Sequence, residues 1–116
     1  MYRSRILDRS VESALRTSGG VLIDGVRASG KTQTGRHHAA SVVILDGGSP
    51  SVAAALQVDP RLLLEGETPR LVDEWQLAPE LWNTARHEID RRGMKGQFIF
   101  TGSSVPAQDA MRHSGA

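Results

Sequence analysis

The 116-residue sequence contains no cysteine. That excludes disulfides, thiolate nucleophiles and cysteine-ligated zinc, and it suits a reducing compartment. Aromatic residues make up only 4% of the chain. Trp75 and Trp82 flank a predicted loop and helix start, where core or loop packing explains them better than base stacking. Charge of one sign is also lacking: the formal net charge is +1, so there is no basic footprint and no nucleic-acid partner is expected. Arg86, Arg91 and Arg92 share one predicted helix and read as a solvated face. No apolar run approaches the ~20 residues that span a bilayer. Met1-Tyr2-Arg3-Ser4-Arg5 leads directly into an amphipathic segment, with no signal-type core. The expectation is a soluble, cytoplasmic chain with no membrane partner. No Gly-x-Ser-x-Gly elbow supports a Ser–His–Asp triad. His37, His38, His87 and His113 form no i,i+4 pair beside a supporting carboxylate, which disfavours a metal centre built on them.

What is present begins with Gly25-Val26-Arg27-Ala28-Ser29-Gly30-Lys31-Thr32, a complete G-x-x-x-x-G-K-[ST] phosphate loop. Gly20-Val21-Leu22-Ile23-Asp24 before it reads as a buried strand, and the residues after it can open a helix. Gly25 and Gly30 let the backbone N–H groups converge on phosphate oxygens, and the following helix adds its positive end. Lys31 is placed to reach the β- and γ-phosphates, and the Thr32 hydroxyl to ligate Mg²⁺. A glycine-rich turn before a helix can match this pattern by chance, but a second motif lowers the weight of that reading. Arg70-Leu71-Val72-Asp73-Glu74 is an apolar pair running into two adjacent acids, the end of a Walker B strand. Asp73 is expected to hold Mg²⁺ through water, and Glu74 to orient and deprotonate the attacking water.

The rest of the chain alternates strands and helices with no repeat or linker, predicting one α/β domain with a parallel sheet. Leu7, Val11, Ala14 and Leu15 fall on one face of a first helix. The helix after Lys31 is poor in apolar surface, and Gly35 costs it about 1 kcal/mol relative to alanine. Ser41 to Asp46 reads as a second buried strand. Ser49-Pro50 and Asp59-Pro60 are cap-and-first-turn signals for two short helices. Pro69 to Asp73 is a third strand. A helix from Pro79 to Arg92 turns Leu81, Trp82, Ala85 and Ile89 inward and stops at Gly93. Gln97 to Thr101 is a fourth strand. Ligands of open parallel sheets sit beyond the carboxyl ends of the strands. There the phosphate loop, Asp73-Glu74 and Thr101 to Ser104 converge, and Thr101 or Ser103 offers a hydroxyl to sense γ-phosphate or position water.

With these residues in view, the chain resembles the N-terminal part of a family of bacterial and archaeal AAA-like ATP-binding proteins that carry a second, uncharacterised domain. The phosphate loop carries the resemblance, with Leu71-Val72-Asp73-Glu74-Trp75-Gln76-Leu77-Ala78-Pro79. Phe98-Ile99-Phe100-Thr101-Gly102-Ser103-Ser104 and Arg112-His113-Ser114-Gly115-Ala116 complete it. The resemblance implies a three-layer P-loop NTPase core of the additional-strand type, in which the Walker B strand is not adjacent to strand one. It also implies ATP and Mg²⁺ as cofactors, with Lys31 and Thr32 for phosphate and metal, Asp73 for metal, Glu74 as catalytic base and Thr101 as first sensor. Family members continue past the position of Ala116, so residues 1–116 are expected to form a single, incomplete domain that lacks its last strand. Strand one is then an open edge inviting self-association, and no arginine finger can be assigned. Where an arginine finger operates it is worth about 10³–10⁵ in turnover, so ATP binding with slow or absent hydrolysis is expected. The alternatives are a non-enzymatic interaction module or remnant and, less well supported, a small P-loop metabolite kinase.

Overall fold

A computed structural model of the chain describes residues 5–23, 31–45 and 49–102, with side chains from 8 and 33 onward in the first two stretches. In chain order the elements are α1 (Arg5–Thr17), β1 (Gly20–Ile23), α2 (Lys31–His38), β2 (Ser41–Ile44), α3 (Pro50–Val58), β3 (Arg70–Asp73), α4 (Glu80–Arg92) and β4 (Phe98–Thr101), with 3₁₀ turns at Pro60–Leu64 and Trp75–Leu77. The four strands form one parallel sheet in the order β1-β4-β3-β2. β4 separates β1 from β3, the additional-strand arrangement. Among the described residues β1 pairs with β4 alone.

Strand alternation divides the core into two layers, because successive side chains leave opposite faces of a strand. Val43, Val72, Phe98 and Phe100 pack with Leu63 and Leu64 of the first 3₁₀ turn and with Leu81 and Ala85 of α4. Ile23, Leu71 and Ile99 pack on the other face with Val11 of α1. Helices therefore cover both faces, giving three layers. The two tryptophans belong to the first core: Trp82 lies 5.2 Å from Trp75 and 5.3 Å from Phe100, ring centre to ring centre.

The cap signals form as the side-chain chemistry dictates. The Ser49 hydroxyl accepts from the Val52 N–H, and the Asp59 carboxylate accepts from the Arg61 N–H. Gly93 ends α4 with φ 65°.

Two expectations need correction. β2 is not buried on both faces: Val43 and Leu45 are, but Val42 and Ile44 are 37% and 41% exposed. Among the described strands it lies at the outer edge of the sheet. The arginines of α4 are not a uniformly solvated face. Arg91 and Arg92 both donate to the buried Glu88 carboxylate, Arg92 also donates to Gln97, and its guanidinium lies 5.1 Å from the Phe98 ring centre. The hydrogen bond from Arg91 is the largest influence holding the Glu88 carboxyl below its ordinary pKa, against the burial that pushes it up.

Gly35 has a role that its helix propensity hides. A Cβ there would lie 2.9 Å from Leu71 Cδ1 and 3.1 Å from Thr101 Cγ2. The missing side chain lets α2 press directly on β3 and β4. A helix with little apolar surface thus gains its place by close approach, and it covers the ends of the two central strands.

Candidate functional site

The parallel register brings the strand ends together. Ile23 aligns with Thr101, and Thr101 with Asp73, across β1, β4 and β3. The carboxyl end of β1, the Asp73-Glu74 pair and Thr101-Gly102 thus leave the sheet at one edge. Gly25, Val26, Arg27, Ala28, Ser29 and Gly30 lie outside the described residues, as do Ser103 and Ser104. Lys31 and Thr32 open α2, and their side chains are also outside the described set.

Asp73 ends β3 and is 8% exposed. Its Oδ1 accepts a 2.7 Å hydrogen bond from the Thr101 hydroxyl. Thr101 is fully buried, so in this state its proton is committed to Asp73 and is not turned outward. The bond joins the ends of β3 and β4 and fixes the direction of the carboxylate.

Glu74 follows in the left-handed region, with φ 60° and ψ 47°. Among the described residues it is the non-glycine residue with positive φ. For an L-residue this conformation costs about 1–2 kcal/mol, and such strain clusters where geometry serves function. Left-handed backbone at Glu74 turns the chain sharply from β3 into the Trp75–Leu77 turn and leaves the Glu74 side chain partly exposed.

Gln76 is the residue that the sequence did not single out by role. Its Nε2 donates to Glu74 Oε1 at 2.6 Å, a short bond strengthened by the acceptor's charge. Its Oε1 is buried and has no hydrogen-bond partner among the described residues, as is true of Thr34 Oγ1 on α2. The close packing of Gly102 explains how Gln76 is held: a Cβ on Gly102 would overlap Gln76 Oε1 and meet Trp75 Cδ1 at 3.0 Å. The available signal was the Glu-x-Gln spacing directly after the acidic end of β3.

This constellation offers a buried hard-oxygen carboxylate and a second carboxylate held by an amide, with α2 starting at Lys31. Hard oxygen donors suit Mg²⁺, and a helix N-terminus suits phosphate.

A family model described as AAA domain matches residues 17–113. The chain is 34% identical over 96 residues to an uncharacterized protein of Mycobacterium bovis (Mb2031c) and, to the same extent, to one of Mycobacterium tuberculosis (Rv2008c). Each alignment covers 80% of this chain and 22% of the relative, so the chain spans about a fifth of the length of these proteins. No solved structure matches. No helix among the described residues is long and apolar enough to cross a membrane.

Proposed function

The chain belongs to the AAA domain family, whose function is nucleotide binding of the ATPase type, and from that premise we propose that it binds ATP together with Mg²⁺ and hydrolyses it slowly or not at all by itself. The observation that carries this reading is the hydrogen-bonded Asp73–Thr101 pair at the sheet edge where β1 ends at Ile23, just before the phosphate-loop sequence. Backbone N–H groups of Gly25 to Gly30 would bind phosphate oxygens, with Lys31 neutralising their charge. Thr32 and Asp73 would hold Mg²⁺, which when bound draws charge from the phosphate oxygens. Thr101 acts as a positioning residue, directing the Asp73 carboxylate through its hydroxyl. Glu74 is the base that takes a proton from water, and Gln76 holds its carboxylate in a defined direction. Among the described residues β1 pairs with β4 alone, and its other edge is where we place self-association.

Glu74 directly after Asp73 favours water over a metabolite hydroxyl as acceptor, which separates this reading from a small kinase. Phosphate release from MgATP without any added acceptor tests it. The expected turnover is well below ~1 s⁻¹, under the ordinary enzyme range. Glu74→Gln abolishes what turnover there is and leaves MgATP affinity within about twofold, because the base acts in the transition state and not in ground-state binding. Turnover of tens per second by this chain alone would contradict the slow-hydrolysis reading. Phosphate transfer that requires an added hydroxyl compound would contradict water as the acceptor.

A further inference from the structure

A second group of chemically active side chains lies at the far end of α2 from the phosphate loop. We propose that Asp8, His37 and His38 bind a divalent transition-metal cation of the zinc class and that this ion ties α1 to α2. Each residue offers one ligand atom, and the three atoms all lie within 4.8 Å of one another. His38 Nε2 is 2.8 Å from Asp8 Oδ1. The rings of His37 and His38 stand edge to face, with centres 5.0 Å apart and planes at 83°. Two imidazole rings in nearly perpendicular planes thus each bring a nitrogen near one carboxylate.

The carboxylate is what the sequence pattern lacked. Consecutive histidines on a helix have no ligand partner at i,i+4, and Asp8 lies 30 positions from His38. Packing of α1 against α2 supplies it across the gap. Burial is graded in a way that fits a site with an entrance: the His38 and Asp8 side chains are 9% and 20% exposed, and His37 is open to solvent. The location helps electrostatically, because His37 and His38 close α2 and the carbonyl end of a helix favours a cation.

Ligand chemistry narrows the ion. Imidazole nitrogen suits Zn²⁺, Cu²⁺, Ni²⁺ and Co²⁺, whereas Mg²⁺ and Ca²⁺ take oxygen. Three protein ligands leave a fourth position for water. The ion would replace the direct His38–Asp8 contact with two metal–ligand bonds and recruit His37. It is distinct from the Mg²⁺ of the nucleotide site in ligand type and in position, and its binding does not depend on that site's being functional.

The test is a Zn²⁺ titration of the full, untagged chain in competition with a chromophoric chelator, with Co²⁺ as a visible-band reporter and no nucleotide present. One equivalent should bind saturably, unaffected by excess Mg²⁺. His37→Ala and Asp8→Asn should each weaken binding at least about tenfold, and His87→Ala on α4 should leave it unchanged. His37 is exposed, so that variant, with its helical circular-dichroism signal checked against the parent's, decides even if Asp8→Asn disturbs the fold. Absence of saturable Zn²⁺ binding by the parent chain, or affinity in His37→Ala equal to the parent's, would overturn the proposal.

Discussion

Asp73→Asn lowers the affinity for MgATP at least tenfold, roughly 1.4 kcal/mol or more, and leaves the affinity for metal-free ATP unchanged. The substitution keeps the shape of the side chain and an Oδ1 that can still accept from the Thr101 hydroxyl, so the joint between β3 and β4 persists. What it removes is the negative charge at a position only 8% exposed, where screening by water is weak and a divalent cation feels that charge most. The expected signature is therefore a change in metal dependence and not in nucleotide affinity as such. Titrations in Mg²⁺ and in chelator, with the parent chain and the variant side by side, give four affinities whose differences isolate the metal. An equal loss with and without Mg²⁺ would assign Asp73 a structural role and remove it from the metal site.

Gly35→Ala destabilises the fold, although helix propensity alone predicts the reverse by about 1 kcal/mol. The added methyl would stand 2.9 Å from Leu71 Cδ1 and 3.1 Å from Thr101 Cγ2, and both residues are fully buried. Leu71 has nowhere to turn, since it is packed among Val11, Ile23 and Ile99. Relief must come from a shift of α2 away from the sheet. Overpacking of this kind costs about 1–3 kcal/mol, which outweighs the propensity gain at most values in that range. The midpoint of urea unfolding should fall with an unchanged slope. Nucleotide affinity should fall as well, because α2 begins at Lys31 and any displacement moves the helix end proposed to face phosphate. A raised midpoint would mean that α2 does not press on β3 and β4 as described.

Much of the architecture could be read from local chemistry. Each strand is a short apolar run beside turn residues, and each fell within a residue or two of its place. Ser49, Asp59 and Gly93 announced helix ends because capping is a local bargain between one side chain, or its absence, and nearby backbone. The exposure of Val42 and Ile44 was not legible, since a β-branched run looks the same at a sheet edge as at its centre. Pairing order decides which it is. Gly35 was read as a weakness because propensity carries no information about what lies opposite, here Leu71 and Thr101. Arg92 was read as solvated because two of its partners, Gln97 and Phe98, lie beyond the helix that carries it.

The candidate site divides in the same way. Asp73, Glu74 and Thr101 were each marked by position at the end of a strand. Their relation was not: the Thr101 hydroxyl bond to Asp73 spans 28 residues and follows only from the parallel register of β3 with β4. The amide of Gln76 on Glu74 depends on the left-handed backbone at Glu74, which no rule for a non-glycine residue would anticipate. Asp8 joined His37 and His38 through packing of one helix on another, a contact that helical spacing cannot express.

The central claim is that the phosphate loop and the strand ends form one nucleotide site. It is tested most directly by titrating the purified chain with a fluorescent ATP analogue in the presence of Mg²⁺, beside Lys31→Ala. The account predicts saturable binding by the parent chain and a loss of at least about tenfold in the variant, whose removed charge would face the β- and γ-phosphates. Equal affinity in the two proteins, or no saturable binding by either, would contradict it.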